Sequence, residues 1–119
     1  MRSILVTGGC GFVGSNLAIF LKKKLKCQIT SFDNLSRNGS SLNLKRLAKN
    51  GIKNINQNIS SKRALSKLKK FDLIIDCCAE AAVEYSKNNV NKVFDTNLVG
   101  TFNVLEKVKR DNAKIIFIF

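Results

Sequence analysis

The chain of 119 residues has no proline, no histidine and no tryptophan, a single tyrosine, and only 8 acidic residues against 21 Lys and Arg. Each shortage narrows the possibilities. Without histidine, and with Cys10, Cys27, Cys77 and Cys78 forming no Cys-x-x-Cys pair, no metal site is expected. The four thiols read as buried and unpaired in a reducing compartment. Without proline, internal repeats or a low-complexity linker there is no sign of a domain boundary, so residues 1–119 read as one domain. No apolar run approaches a membrane span and no signal peptide opens the chain, so no membrane partner and a cytoplasmic location are expected.

The shortage of acid leaves a net charge of +13. That excess would suit nucleic acid. The lysines, however, read as spread over helix faces and are not interleaved with aromatics, and no nucleic-acid-binding motif appears. A solvated basic face and no nucleic-acid partner are therefore expected.

What is present is a regular alternation. Residues 4–6, 28–32, 52–57, 71–78 and 113–119 read as strands, and residues 12–24, 41–50, 61–69 and 90–110 as helices. Leu17, Ala18, Phe20 and Leu21 are expected to face inward from the first helix. Val93, Phe94, Leu98, Phe102 and Leu105 should do the same from the last, with Gly100 allowing close packing. Strands alternating with helices predict an α/β fold, a doubly wound parallel Rossmann sheet of about five strands with helices on both faces.

The most informative stretch is Thr7-Gly8-Gly9-Cys10-Gly11-Phe12-Val13-Gly14, between the first strand and the first helix. A strand, a glycine turn and a helix place a pyrophosphate on the helix N-terminus, where N–H groups and the helix dipole favour an anion. Asp33 ends the second strand at about the ~20-residue spacing of a carboxylate that accepts the adenosine ribose hydroxyls. Its charge favours NAD over NADP, whereas the nearby Arg37 could accommodate a 2′-phosphate. Asp33 starting a turn with Asn34 is the alternative.

With those motifs stated, Thr7 to Phe12 followed by Phe32-Asp33-Asn34-Leu35-Ser36-Arg37 resembles the extended short-chain dehydrogenases/reductases, the NAD-dependent sugar-nucleotide epimerases and dehydratases. Within them the CDP-paratose (CDP-tyvelose) 2-epimerases look most similar. UDP-glucose 4-epimerases and dTDP-glucose 4,6-dehydratases share much of the pattern. The resemblance implies a pyrophosphate loop of Gly8, Gly11, Phe12, Val13 and Gly14, with Asp33, Asn34, Ser36 and Arg37 around the adenosine. It aligns Asn58-Ile59 with an Asp-Ile or Asp-Leu pair that meets the adenine, and the Asn carbonyl can still accept that bond. It aligns Cys78, Ala79 and Glu80 with a run lining the nicotinamide side, and Asn97 with an Asn near the active site. For Asn97, a hydrogen-bond spacer facing the sheet is the alternative. Glu80 and Glu84 receive no catalytic role.

The same resemblance requires a Ser or Thr just past the fifth strand, then Tyr-x-x-x-Lys for proton transfer. The single Tyr85 is followed four residues later by Asn89 and precedes the long helix. No catalytic residue is therefore assigned. The expectation is the NAD-binding N-terminal part of a sugar-nucleotide epimerase, a truncated or split product, inactive alone and poorly soluble through an uncovered apolar edge at residues 115–119. A nucleotide sugar and a homodimer through the helix at residues 90–110 would belong to a full-length relative. A non-catalytic dinucleotide-binding or redox-sensing module is the competing expectation.

Overall fold

A computed structural model describes residues 2–78 and 87–118. In chain order the elements are β1 (Ser3–Thr7), α1 (Phe12–Lys24), β2 (Gln28–Phe32), α2 (Ser40–Lys49), β3 (Lys53–Ile55), α3 (Lys62–Ser66), β4 (Leu73–Asp76), α4 (Val90–Phe94), a π-helical turn (Asp95–Val99), α5 (Gly100–Asp111) and β5 (Lys114–Phe117). All strand pairs are parallel and the order is β3-β2-β1-β4-β5. The predicted α/β fold is the one observed.

Alternate residues of the buried strands feed two cores. Ile4, Val6, Ile29, Leu73 and Ile75 join Ala18, Ile19 and Leu47 of α1 and α2 on one face of the sheet. Leu5, Phe32 and Ile74 join Leu65 and Val104 of α3 and α5 on the other. The chain leaves β1 in one direction toward β2 and β3, then returns to lay β4 on the opposite side of β1. The switch point therefore lies between the carboxyl ends of β1 and β4, where the loops part and leave a crevice.

Helix ends follow local chemistry. Ser61 caps α3 by accepting the Ala64 N–H at 3.2 Å. α5 ends on Asn112, which takes the left-handed conformation at φ 52°. The expected third helix is shorter than its apolar pattern suggested, ending at Ser66, and the fourth strand spans only Leu73–Asp76.

Two inward faces differ from expectation. Phe20 is exposed and Ile19 takes its place against the sheet. Phe94, Leu98, Phe102 and Leu105 are exposed as well, while Gly100, Asn103, Val104, Lys107 and Asp111 face inward. Periodicity identified the apolar stripe correctly but not which side of the helix meets the sheet. The buried side is held by polar contacts that periodicity does not register. Asn103 donates to the Ile59 carbonyl at 3.0 Å, and Lys107 Nζ meets the Lys69 carbonyl at 2.9 Å and Asp111 at 2.8 Å. Gly100 packs on Ile59 rather than on a strand, since a Cβ there would lie 2.7 Å from Ile59 Cγ2.

Lys45, Lys62, Lys92 and Lys107 lie within helices as expected, but most of the other lysines gather at one end of the sheet. Lys22, Lys23 and Lys24 close α1, and Lys49 closes α2. Lys67, Lys69 and Lys70 lie between α3 and β4, Lys109 and Arg110 close α5, and Lys53 and Lys114 begin strands. In a doubly wound parallel sheet all these positions share one end, where helices finish and strands begin. Cations there complement the helix dipoles but repel one another. Screening at about 0.15 M salt, where the Debye length is about 8 Å, is therefore expected to raise the melting temperature by a few degrees over low salt. A melting temperature that is flat or falls with added salt would show the repulsion to be negligible.

Candidate functional site

The crevice at the switch point is an open cleft of about 230 Å³. Its walls are Gly8, Gly11, Phe12, Val13 and Gly14 from the glycine loop, Asp33, Asn34, Ser36 and Arg37 after β2, Ser40 of α2, Cys77 and Cys78 after β4, and Thr96 of the π-helical turn. Ten of the fifteen residues expected from sequence thus meet in one place. Asn58, Ile59 and Asn97 do not line it, and Ala79 and Glu80 lie outside the described residues, as do Glu84 and Tyr85.

The loop is built by close backbone approach. Gly8 has φ +66° and donates its N–H to the Phe32 carbonyl at 2.8 Å, tying the end of β1 to the end of β2. A Cβ on Gly14 would lie 2.1 Å from the Gly8 carbonyl oxygen, so α1 packs on the loop without room for a side chain. Gly9 is equally constrained, because its Cβ would fall 2.0 Å from Ser31 Oγ. The resemblance gives Gly9 no role in the pyrophosphate loop; its need arises from a buried serine on the neighbouring strand. Gly11 is the N-cap of α1, with no side chain capping the helix and no acidic residue in its first turn. The helix therefore presents uncapped donors and an uncompensated dipole to the cleft, which suits an anion.

Asp33 is fixed at the opposite wall. Its Oδ2 accepts the Cys10 N–H at 3.0 Å and its Oδ1 accepts the Leu35 N–H at 2.8 Å. The second bond holds Leu35 at φ 62°, an uncommon conformation for leucine. Behind it, Asn54 donates to the Asp33 carbonyl at 3.1 Å and accepts from Ser31 Oγ at 2.7 Å. Asp33 thus starts the turn that the sequence offered as its alternative, and it also lines the cleft. Each carboxylate oxygen keeps capacity for a further donor such as a hydroxyl.

The floor between β1 and β4 is polar and paired. Thr7 Oγ1 donates to Asp76 Oδ1 at 2.5 Å, which also accepts the Cys78 N–H at 3.0 Å. Burial raises the Asp76 carboxyl above the usual range, and these two bonds oppose it. Burial likewise pushes the thiols of Cys10 and Cys77 up to about 11, with the charges of Asp33 and Asp76 adding to it. Both stay protonated at neutral pH and are poor nucleophiles. Cys10 is fully buried and the other three cysteines are half-buried, with no disulfide among the four. Among the described residues no cluster of three or more His, Cys, Asp or Glu could hold a metal.

The three residues outside the cleft have other partners. Ile59 is buried in the core beneath α5, against Gly100. The Asn58 side-chain oxygen accepts the Ser60 N–H and hydroxyl at 3.0 and 2.9 Å. Asn97 is exposed on the π-helical turn, and its carbonyl accepts the Thr101 hydroxyl at 2.6 Å. Its neighbour Thr96 reaches the cleft instead, an offset that the helical pattern alone could not give, because the wider turn changes the helical phase.

Comparison with known proteins agrees with this geometry. Residues 4–119 match the NAD dependent epimerase/dehydratase family. The chain is 35% identical over 120 residues to the CDP-paratose 2-epimerase of Salmonella typhi, covering 98% of this chain and 35% of that protein. It is 31% identical over 113 residues to the dTDP-glucose 4,6-dehydratase of Neisseria meningitidis, covering 92% and 32%. Among solved structures, the UDP-Glc/GlcNAc 4-epimerase from Campylobacter jejuni superposes with a TM-score of 0.86 at 30% identity, over 98% of this chain and 36% of that one. The UDP-glucose 4-epimerase from Bifidobacterium longum, in complex with NAD+ and UDP, gives 0.84 at 28% identity, over 98% and 36%. The chain spans about a third of the length of these relatives. Fold, cleft and sequence agree, and the chain belongs to the NAD dependent epimerase/dehydratase family.

Proposed function

We propose that this chain binds NAD in the switch-point cleft and forms the cofactor-binding portion of a sugar-nucleotide epimerase, similar to the CDP-paratose 2-epimerases. The observation that carries the reading is the meeting of an uncapped helix N-terminus with a carboxylate across one cleft. The N–H groups of Phe12, Val13 and Gly14 would hold the pyrophosphate, and Asp33 would accept the adenosine ribose hydroxyls. Asn34, Ser36 and Arg37 form the adenosine side of the wall, and Cys77, Cys78 and Thr96 the far side. The nicotinamide, when bound, supplies a reversible hydride acceptor. The assignments of Asn58, Ile59, Ala79, Glu80 and Asn97 rest on resemblance alone.

In the whole enzyme, transient oxidation of the sugar and return of the hydride on the other face would invert one carbon. The proton-moving residues for that step are not in this sequence, since Tyr85 has Asn89 four positions on. The exposed stripe of Val90, Phe94, Leu98 and Phe102, spaced four residues apart, suits a second copy of the helix and supports the homodimer expected of a full-length protein.

Calorimetric titration tests the cofactor. NAD is expected to bind one to one and at least about tenfold more tightly than NADP, because the Asp33 charge repels a 2′-phosphate. Equal affinity for the two, or tighter NADP binding, would overturn the assigned role of Asp33.

A further inference from the structure

Cys10 does not line the cleft; its side chain is fully buried in the core, yet its two peptide planes form the middle of the glycine loop. The plane before it is held by its N–H, which donates to Asp33. The plane after it carries the Gly11 N–H, which donates to the Gly8 carbonyl at 3.0 Å, and the Cys10 carbonyl on the opposite edge. That carbonyl accepts from Nδ2 of Asn43 on α2 at 2.8 Å, across 33 positions of sequence.

We infer that Asn43 is a positioning residue for the phosphate-binding loop, acting through the Cys10 carbonyl and held in orientation by Arg46. Arg46 Nη1 donates to Asn43 Oδ1 at 2.9 Å, so the amide can present only its NH₂ to the loop. Arg46 Nη2 also donates to Asn16 Oδ1 of α1 at 2.9 Å, anchoring the pair to the helix that the loop opens. A peptide fixed at both edges cannot swing, and Gly11 then keeps the extended geometry that starts α1, with its carbonyl accepting the Ser15 N–H at 3.0 Å. Oriented donors bind an anion without reordering on contact, so a loosened loop loses affinity for phosphate and not for the nucleoside.

This inference rests on the NAD reading, and its test separates the two. Asn43→Asp is isosteric but places a carboxylate oxygen against the Cys10 carbonyl; Arg46→Met leaves Asn43 in place and removes its orienting partner. In the ligand-free chain, amide hydrogen exchange at Cys10 and Gly11 is expected to accelerate about tenfold in Asn43→Asp and less in Arg46→Met, with the core strands unchanged. Affinity for NAD should fall about tenfold in Asn43→Asp, while that for adenosine, which lacks the pyrophosphate, stays at the wild-type value. Unchanged exchange in the loop overturns the positioning role even where NAD binds. An equal loss for NAD and adenosine also overturns it, since that is the signature of general destabilisation. Wild-type protein that shows the loop protection but binds no NAD overturns the cofactor reading, and the phosphate role of Asn43 with it.

Discussion

Gly14→Ala is expected to lower the melting temperature by about 15 °C or more and to abolish NAD binding. The added Cβ would lie 2.1 Å from the Gly8 carbonyl oxygen, 2.8 Å from its carbon and 3.0 Å from Gly9 Cα. All three are backbone atoms of the tight loop, so no rotamer change relieves the clash. The helix has to move away from the loop instead. Overpacking ordinarily costs about 1–3 kcal/mol, and a backbone clash lies at or above the upper end. In a domain of this size each kcal/mol shifts the midpoint by about 4–8 °C. The comparison that isolates packing is Gly39→Ala. Gly39 has φ +86° with nothing within 4 Å of the new Cβ, so only conformational strain of about 1–2 kcal/mol applies. A Gly14→Ala protein that melts like the wild type would mean that helix and loop are not packed as described.

Asp33→Ala is expected to weaken NAD binding about a hundredfold and to cost about 2 kcal/mol of stability. Two effects combine. The carboxylate now accepts two backbone N–H bonds, from Cys10 and Leu35, and a bond to a charged group contributes about 1.5–3 kcal/mol. Removing it also takes away the proposed acceptor for the ribose hydroxyls, so affinity falls further than stability alone implies. Asp33→Asn separates the parts: it keeps one acceptor oxygen and removes the charge. Its preference for NAD over NADP should therefore narrow while the fold is retained. Thermal unfolding with parallel NAD and NADP titrations of both variants measures this. Unaltered NAD affinity in a folded Asp33→Ala protein would remove Asp33 from the site.

Much of this was legible in the sequence because it depends on local signals. The glycine loop, the strand before it and the spacing to Asp33 are short-range features, and the cleft assembles them as expected. The strand and helix alternation likewise gave the doubly wound sheet. What could not be read depends on contacts distant in sequence. Phe94, Leu98 and Phe102 form an apolar stripe that periodicity assigns to the core, and only the fold shows Asn103 and Lys107 buried there instead. The resemblance aligns Ile59 with a pair that meets the adenine, and the close approach of Gly100 commits its side chain to the core. Ser40, Cys77 and Thr96 gave no signal of their own, because each matters only through what the sheet brings beside it. The basic end face is a similar case. Helix C-termini attract lysine one by one, and the parallel topology then collects them.

NAD is proposed to sit in one cleft, at the carboxyl ends of β1 and β4, held by the glycine loop and Asp33. Two-dimensional amide NMR of the chain titrated with NAD tests it most directly. Saturable shifts are expected at Gly8 to Gly14 and at Asp33 to Arg37, with the basic end of the sheet unmoved. A well-dispersed spectrum that NAD leaves unchanged, or shifts confined to the lysine-rich end, would contradict it.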